Sequence, residues 1–228
     1  MAPLYTYNFS EWARLARAAQ QYRGAVDVTA TVWRCGQAGQ PPGPAPHHTT
    51  LCAEPPTPDD FAAEVAKLRA AGVRVMHYVH SRLLSYPDGS YRPCCTCCDS
   101  FANISRLINA TVAAFPQDGI FVDNSPGDQA HFALYDQLLR AIRASDPHRF
   151  AAINLGGRFP ESYLEYDLLL QEGWTPAAGS AGRAFNWSAY PAARFWAIVE
   201  GPVASVQQMQ TIVAAGRQAH FGAFFVSK

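Results

Sequence analysis

The sequence lacks an excess of charge of either sign and lacks a long hydrophobic run. Lysine and arginine together number 18, and aspartate and glutamate also number 18, so the formal net charge is zero. A nucleic-acid-binding protein needs a basic surface to displace the counterions of the phosphates, which argues against that class. No apolar segment approaches the ~20 residues that cross a bilayer. We therefore expect no nucleic-acid partner and no membrane span.

Motifs for cofactors and metals are also missing. The sequence contains no GxSxG motif, P-loop or dinucleotide fingerprint, and no HExxH pattern. The segment from Cys94 to Cys98 holds four cysteines without zinc-finger spacing, and neighbouring cysteines cannot all face one ion. We expect neither a metal nor a cofactor. A cytosolic enzyme that uses a nucleotide is the least supported of three functional hypotheses.

Cysteines and glycosylation sequons indicate an oxidising compartment. Six cysteines fall in or near predicted loops, and four Asn-x-Ser/Thr sequons begin at Asn8, Asn103, Asn109 and Asn186. Six cysteines allow fifteen pairings. We expect Cys35 and Cys52 to close their own loop and the Cys94–Cys98 segment to pair within itself. The prediction is a secreted glycoprotein whose signal peptide has been removed; a cytosolic chain with chance sequons is the alternative.

Short apolar segments alternate with helical patterns along the chain. Eight segments are predicted strands: Leu4–Tyr7, Val26–Trp33, Val73–Val79, Gly119–Asp123, Phe150–Leu155, Asp167–Glu172, Phe195–Glu200 and Phe221–Ser227. Most are continuous apolar runs, which is typical of parallel strands covered on both faces. Five segments are predicted helices: Glu11–Tyr22, Pro58–Ala71, Phe101–Phe115, Gln129–Ala144 and Val203–Ala215, the last ended by Gly216. Shorter helical pieces are expected in Pro160–Glu165 and Ala178–Tyr190.

This alternation predicts an α/β fold, a single (β/α)₈ barrel of the TIM type spanning residues 1–228 as one domain. An open doubly wound sheet is the competing arrangement, but it usually has about five or six strands. No sequence remains for a helix after the eighth strand. Two loops, Cys35–Pro58 and Tyr86–Ser100, follow strands at their C-terminal ends, and we expect disulfides to staple them. A monomer is expected.

Barrel enzymes place their functional side chains at the C-terminal ends of the strands. The residues at those positions are mainly carboxylates, amides and aromatics: Tyr5, Tyr7, Trp33, Tyr78, His80, Asp123, Asn124, Asn154, Glu172, Trp174, Glu200, Ser227 and Lys228. Carboxylates can act as acid, base or nucleophile at a glycosidic bond. Aromatic faces stack on sugar rings, and amide and imidazole groups bind hydroxyls. The set predicts a carbohydrate site.

Asp123 stands out because an apolar strand, Gly119-Ile-Phe-Val, runs directly into its charge. The same residues also suit a turn or a helix cap. Glu172 and Glu200 each end an apolar run, where an acid has to be solvated or paired. The local sequence does not choose between these two glutamates.

At these residues the chain resembles the spherulin 4-like family, glycoside hydrolase family 135, over nearly its full length. Six segments carry the resemblance: Pro3-Leu-Tyr-Thr-Tyr7 with Trp12, Gln40-Pro-Pro-Gly-Pro44, His77-Tyr-Val-His-Ser81, Gly119-Ile-Phe-Val-Asp123-Asn124, Asn154-Leu-Gly156 and Glu172. The resemblance implies a secreted (β/α)₈ barrel. In characterised members it implies an endo-acting hydrolase of α-1,4-linked, galactosamine-containing polysaccharide.

The resemblance also implies which residues are catalytic, and here the chain departs from the family. An acidic pair after the fourth strand and a glutamate after the sixth correspond to Asp123, Asn124 and Glu172, so an amide replaces the second acid. An amide cannot exchange a catalytic proton, although it can bind a hydroxyl.

Two hypotheses of different classes follow. The first is a secreted glycoside hydrolase of an amino-sugar polysaccharide, with Asp123 and Glu172 as the catalytic carboxylates. Eight residues would then bind substrate: Tyr5, Tyr7, Tyr78, His80, Asn124, Asn154, Trp174 and Glu200. The second is a catalytically silent carbohydrate-binding or coat protein on the same barrel, which the amide at Asn124 motivates.

Overall fold

A computed structural model of the chain describes residues 2–4, 9–23, 29–32, 58–81, 101–114, 119–123, 125–157, 159–178, 185–199 and 205–226. Several sequence predictions lie outside the described residues. They concern all six cysteines and their pairing, and four of the predicted site residues: Tyr5, Tyr7, Asn124 and Glu200. For His80 the backbone is described and the side chain is not.

The structure contains eight strands that follow one another in the sheet in chain order. They are β1 (Ala2–Leu4), β2 (Thr29–Val32), β3 (Arg74–His80), β4 (Gly119–Asp123), β5 (Phe150–Asn154), β6 (Leu168–Gln171), β7 (Phe195–Val199) and β8 (Ala223–Val226). The pairs from β1 to β3 and from β5 to β8 are parallel. Parallel neighbours need a crossover connection, and this requirement explains the elements between them.

Helices occupy most of these crossovers. Five are α-helical: α1 (Phe9–Gln21), α2 (Pro58–Ala70), α3 (Phe101–Ala114), α4 (Phe132–Arg143) and α5 (Val206–Gln218). Short 3₁₀ segments lie at Glu161–Glu165, Pro176–Ala178, Trp187–Ala189 and Ala192–Arg194. The predicted alternation of parallel strands and helices in an α/β fold is confirmed. Closure of the sheet into a barrel stays a prediction.

The last helix shows where the sequence prediction of a boundary was wrong. Gly216 was expected to end it, but α5 starts after Ser205 and continues through Gly216 to Gln218. The Ser205 hydroxyl accepts a hydrogen bond from the Gln208 backbone N–H at 3.1 Å, which caps the start of the helix. Gly216 is buried, and a Cβ at this position would collide with the ring of Phe224. The glycine therefore permits close packing inside the helix.

Other boundaries differ by a few residues. Strand β1 covers Ala2–Leu4 rather than Leu4–Tyr7, whose later residues lie outside the described part of the chain. Helix α4 begins at Phe132 rather than Gln129. Just before the helix, the Asp128 carboxylate accepts a hydrogen bond from the His131 backbone N–H at 2.9 Å, and the Phe132 N–H donates to the Gln129 carbonyl at 3.3 Å. The residues before Phe132 thus form a turn that leads into the helix.

The chain divides into two compact units, Met1–Phe121 and Val122–Lys228. In the first unit, Trp12 of α1 is 1% exposed and packs edge-to-face on Phe61 of α2, with ring centroids 5.6 Å apart. Val75 of β3 belongs to the same core. Edge-to-face contact suits the opposite charges at the face and rim of aromatic rings. A single domain over residues 1–228 stays a prediction.

The second unit has an aromatic core of its own. The Trp187 and Phe195 rings stack with centroids 4.4 Å apart. The buried Tyr166 hydroxyl donates to the Tyr135 carbonyl at 2.7 Å. Burial raises the pKa of Tyr166 well above its ordinary value, so this phenol stays neutral and serves as a hydrogen-bond donor in the core. In the described part of the chain, no helix combines the length and hydrophobicity that a membrane span requires.

Candidate active site

Three polar side chains meet where neighbouring strands of the second unit end. Asp123 is the last residue of β4, Asn154 is the last of β5, and Glu172 directly follows β6. Parallel strands bring their carboxyl ends to one edge of the sheet, so the topology places these residues together. Backbone pairing continues past the strand ends, because the N–H of Ser125 donates to the carbonyl of Asn154 at 3.1 Å.

The amide of Asn154 bridges the two acids. Its Nδ2 donates to Oδ1 of Asp123 at 2.7 Å and to Oε2 of Glu172 at 2.7 Å. Because both oxygens bond to the same nitrogen, they are at most about 5.4 Å apart (twice 2.7 Å), which is less than the about 6.5–9.5 Å between the carboxyl groups of inverting glycosidases. The structure thus brings together three of the residues that the sequence singled out.

The orientation of this amide is fixed from the other side. The backbone N–H of Gly156 donates to Oδ1 of Asn154 at 3.0 Å. A backbone N–H can only donate, so the atom that faces it has to be the amide oxygen, and the nitrogen has to face the carboxylates. Gly156 has a φ of +68°, a left-handed conformation that glycine adopts without strain. The turn after β5 therefore orients the Asn154 side chain.

The two acids differ in their exposure to solvent. Asp123 is half-buried, whereas Glu172 is exposed. Gly173 follows Glu172 with a φ of +66°, so a second left-handed glycine turns the chain away just beyond the site. The N–H of Glu172 also donates to the carbonyl of Gly156 at 3.1 Å. One acid is thus held against the sheet while the other remains open to water and to a ligand.

Two aromatic residues that were expected to bind substrate are buried instead. Trp174 is 1% exposed and packs edge-to-face on Phe221, with ring centroids 5.3 Å apart. Tyr78, in the first unit, is 7% exposed and packs on Phe121 at 5.9 Å. Both rings are therefore largely covered by the core, and substrate binding by these two residues stays a prediction. A large aromatic side chain removes more apolar surface from water when it is buried in the core than when it lies at the surface.

The sequence interpretation missed the two left-handed glycines. Gly156 was considered only as the last residue of the family-like segment Asn154-Leu-Gly156, and Gly173 was not considered. Their signal was present in the sequence, since each follows a polar site residue closely at the end of an apolar strand. Such a glycine indicates a sharp turn that fixes the preceding side chain.

A contact between a carboxylate and an imidazole lies in the loop between β4 and α4. Asp128 Oδ1 accepts a hydrogen bond from His131 Nδ1 at 2.8 Å and another from the His131 backbone. Burial raises the pKa of Asp128, but the hydrogen bonds and the charge of His131 outweigh it, and the pKa lies below its ordinary value. Among the described residues, no group of three or more His, Cys, Asp or Glu side chains could hold a metal ion.

Three solved structures with a similar fold are a chitinase, an alpha-galactosidase and an endo-beta-1,4-glucanase. The chitinase ChiC from Aspergillus fumigatus is 14% identical with a TM-score of 0.55, and the match covers 90% of this chain and 82% of the chitinase. A GH36 alpha-galactosidase from Geobacillus stearothermophilus is 13% identical with a TM-score of 0.59 over 99% of this chain and 38% of that protein. A hyperthermophilic endo-beta-1,4-glucanase is 13% identical with a TM-score of 0.50, covering 93% and 82%. These likenesses show the class of fold, which is α/β.

The family follows from the sequence itself. The model of spherulation-specific family 4 matches residues 1–228. The chain therefore belongs to that family. No curated protein matches the chain.

Proposed function

We propose that this protein is a secreted, endo-acting glycoside hydrolase of an amino-sugar polysaccharide of the galactosamine type, with Asp123 and Glu172 as its catalytic pair. The observation that carries the proposal is the bridge from Asn154 to both acids at 2.7 Å. The shared fold of the chitinase, galactosidase and glucanase structures supports a carbohydrate substrate. The resemblance to glycoside hydrolase family 135 supports the sugar and the endo action.

The spacing of the acids favours hydrolysis with retention of configuration. Retaining enzymes hold their two carboxyl groups about 5–5.5 Å apart, and inverting enzymes hold them about 6.5–9.5 Å apart to admit a water. The upper limit of about 5.4 Å set by the shared amide is below the spacing of the inverting class, which favours the retaining class. In the first step one carboxylate attacks the anomeric carbon as the other carboxylic acid protonates the leaving oxygen. In the second step the latter deprotonates a water, which displaces the first carboxylate from the sugar.

Exposure assigns the two roles. The acid–base residue has to exchange a proton with the leaving sugar and then with water, so it needs contact with solvent. Glu172 is exposed and fits that role, whereas Asp123 is half-buried at the end of β4 and fits the nucleophile. Asn154 stands between them and keeps both within reach of one sugar.

A panel of defined polysaccharides tests the proposal. The wild type should release oligosaccharides from an α-1,4-linked galactosamine-containing polymer, and the Asp123→Asn and Glu172→Gln variants should not. Asp136→Asn and Glu165→Gln are matched controls, because these acids lie on α4 and in a 3₁₀ segment away from the three site residues. Proton NMR of the first product should show the anomer of the substrate. Full activity in both site variants would exclude these acids as the pair, and an inverted product would exclude retention.

The second candidate function is a silent carbohydrate-binding or coat protein. Asn124 favours it, since this amide stands where the family resemblance expects an acid. A glycan array that shows binding, together with a polysaccharide that stays intact over long incubation, would support this function. The Asn124→Glu variant separates the two candidates, because a gain of cleavage in this variant alone would identify the wild type as the silent form.

Secretion is part of the proposal, and it is supported by where two of the sequons lie. Asn109 on α3 and Asn186 before a 3₁₀ segment are both exposed, so a transferase could reach them. Expression in a glycosylating secretory host should give a mass that falls on treatment with an N-glycosidase. The same host should give a chain without free thiols if the six cysteines pair. A mass equal to that of the bare chain with six free thiols would point to the cytosolic alternative.

We also propose that the sheet closes into a (β/α)₈ barrel that forms one domain and remains a monomer. The count of eight strands in chain order and the coverage of 90% or more of this chain by the chitinase, galactosidase and glucanase folds support it. A crystal structure with β8 hydrogen-bonded to β1 would establish closure. A single unfolding transition would establish one domain, and a sedimentation mass near 24.9 kDa for the unglycosylated chain would establish a monomer.

A further inference from the structure

Both amide hydrogens of Asn154 are committed to the acids. A primary amide has two N–H groups, and here they are directed at Asp123 and Glu172, each at 2.7 Å. The amide oxygen receives the Gly156 N–H at 3.0 Å, and the residue is only 2% exposed. A sugar hydroxyl could receive a hydrogen bond from this amide only by displacing one of the carboxylates. The predicted role of Asn154 as a direct substrate ligand therefore does not fit its contacts.

The bridge requires a side chain that is neutral and carries two donors. Two carboxylates at this separation repel each other, and a shared donor offsets that repulsion by placing a positive hydrogen on each of them. An aspartate at this position has the same shape but would add a third negative charge. A leucine has a similar size but would remove both donors.

We propose that Asn154 is the positioning residue of the site, which holds Asp123 and Glu172 at a fixed spacing and contacts no substrate. Its effect on reaction rate rests on the proposed function, but its effect on the two acids does not. The bond from Gly156 fixes the amide plane, and that plane fixes the directions in which the two acids are held. Loss of the amide thus changes the acids first and substrate binding only as a consequence.

The first test needs no substrate. In the Asn154→Asp variant the introduced carboxylate lies beside two others, so it takes up a proton more readily when folded than when unfolded. The penalty on stability should be full at pH 7 and shrink as the pH falls towards 4. We expect the Tm to fall by at least about 4 °C at pH 7 and by less than half as much at pH 4. Asn186→Asp is the matched control, and its Tm difference should not depend on pH in this way.

The double variant Asn154→Asp/Glu172→Gln tests the contact itself. The double variant moves the amide to position 172 and the carboxylate to position 154. One neutral amide donor therefore again lies beside two carboxylates. We expect it to recover at least half of the Tm lost by Asn154→Asp at pH 7, because residues in contact have non-additive effects. If the single variant does not fold at pH 7, a double variant that does fold at this pH provides the same test of the contact. Additive losses, or a penalty that is the same at pH 7 and pH 4, would overturn the proposal.

Kinetics separate positioning from substrate binding. For Asn154→Asp we expect kcat to fall by at least about 10²-fold, KM to change by less than about threefold, and the acidic limb of the pH–rate profile to move to higher pH. A direct sugar ligand would instead raise KM and leave the profile in place, which would overturn the proposal. If no polysaccharide is cleaved by the wild type, the proposed hydrolase fails while the stability tests still decide the role of Asn154.

Discussion

Carboxylates lie at the C-terminal ends of β4 and β6 and at the N-terminal end of β6, and the two ends differ in the groups that donate hydrogen bonds to them. At the C-terminal ends, Asp123 and Glu172 share the neutral amide of Asn154. At the N-terminal ends, Asp167 accepts from the Arg143 guanidinium at 3.0 Å and from the Ala151 N–H at 2.8 Å. A guanidinium compensates a negative charge and strengthens the fold, whereas a bridging amide brings two charges together.

This difference shows that the role of a carboxylate at a strand end can be inferred only together with the group that donates a hydrogen bond to it. In an α/β barrel the C-terminal ends of the strands carry the chemistry and the N-terminal ends contribute stability. The proposed function predicts the same division for the ends of β4 and β6. Replacing acids at each end should therefore give opposite results, in activity at one end and in stability at the other.

The largest effect is expected at the C-terminal end. Asp123→Asn and Glu172→Gln should each lower kcat by at least about 10³-fold, because a nucleophile or proton donor is lost. Their Tm should stay close to that of the wild type, since the introduced amide has the same shape and its oxygen can still accept a hydrogen bond from Asn154. Product assays and thermal unfolding measure the two quantities. If the loss of activity is matched by a loss of folded protein, the two acids act on stability, and the predicted difference between the two ends of the strands is wrong.

At the N-terminal end the pattern should reverse. Asp167→Asn should lower the free energy of unfolding by about 1 kcal/mol, because the charged contact with Arg143 is lost while the side chain remains partly exposed. Activity should stay within about twofold of the wild type, as the substitution lies away from the C-terminal ends of the strands. Urea unfolding and the product assay check both values. A hundredfold loss of activity with unchanged stability would contradict the division between the ends.

A smaller effect is expected from the glycines that turn the chain beyond β5 and β6. Gly156→Ala and Gly173→Ala should each cost about 1 kcal/mol, since an L-residue with positive φ is strained. Activity should fall further than stability alone explains, because these turns orient Asn154 and Glu172. Gly157→Ala is the control, since Gly157 has an ordinary φ and nothing within 4 Å of the added carbon. Equal effects of all three substitutions would refute this account.

The smallest effect is expected at Asp128, an exposed carboxylate paired with His131. Its pKa is lowered in the folded protein, so its contribution to stability is present above the ordinary value of 3.8 and is lost as the pH falls through the lower folded value. Asp128→Asn should reduce stability by no more than about 0.5 kcal/mol at pH 6, because the pair is exposed. The difference between variant and wild type should shrink as the pH falls below 3.8. A difference that widens as the pH falls would reverse the sign of this linkage.

The sequence predicted the elements well where local signals were complete. Strand β4 has the predicted bounds because its apolar run ends in a charge at Asp123. Helix α5 was predicted to stop too early because the role of Gly216 depends on its contact with the ring of Phe224. That contact forms only when strand β8 packs against the helix. Trp174 was predicted to bind substrate because it lies just beyond the end of a strand, and only the folded chain shows that it is 1% exposed and packs on Phe221.

The candidate site was predicted as a set of residues but not as a geometry. The order of strands was sufficient to place Asp123, Asn154 and Glu172 at one edge. It was not sufficient to show that one amide donates to both acids, because that depends on the register of β5 with β6 and on the turn at Gly156. The register pairs Asn154 with Leu170, which leaves Glu172 just beyond the last paired residue.

The backbone hydrogen bonds that continue past these strands have a consequence for the motions of the site. Strand ends commonly fray, but here the amide protons of Ser125, Leu155 and Glu172 are all bonded to carbonyls of the neighbouring segments. We expect these three protons to exchange slowly with deuterium. An edge that does not open locally keeps its acids aligned between encounters, so a substrate would meet them already in place.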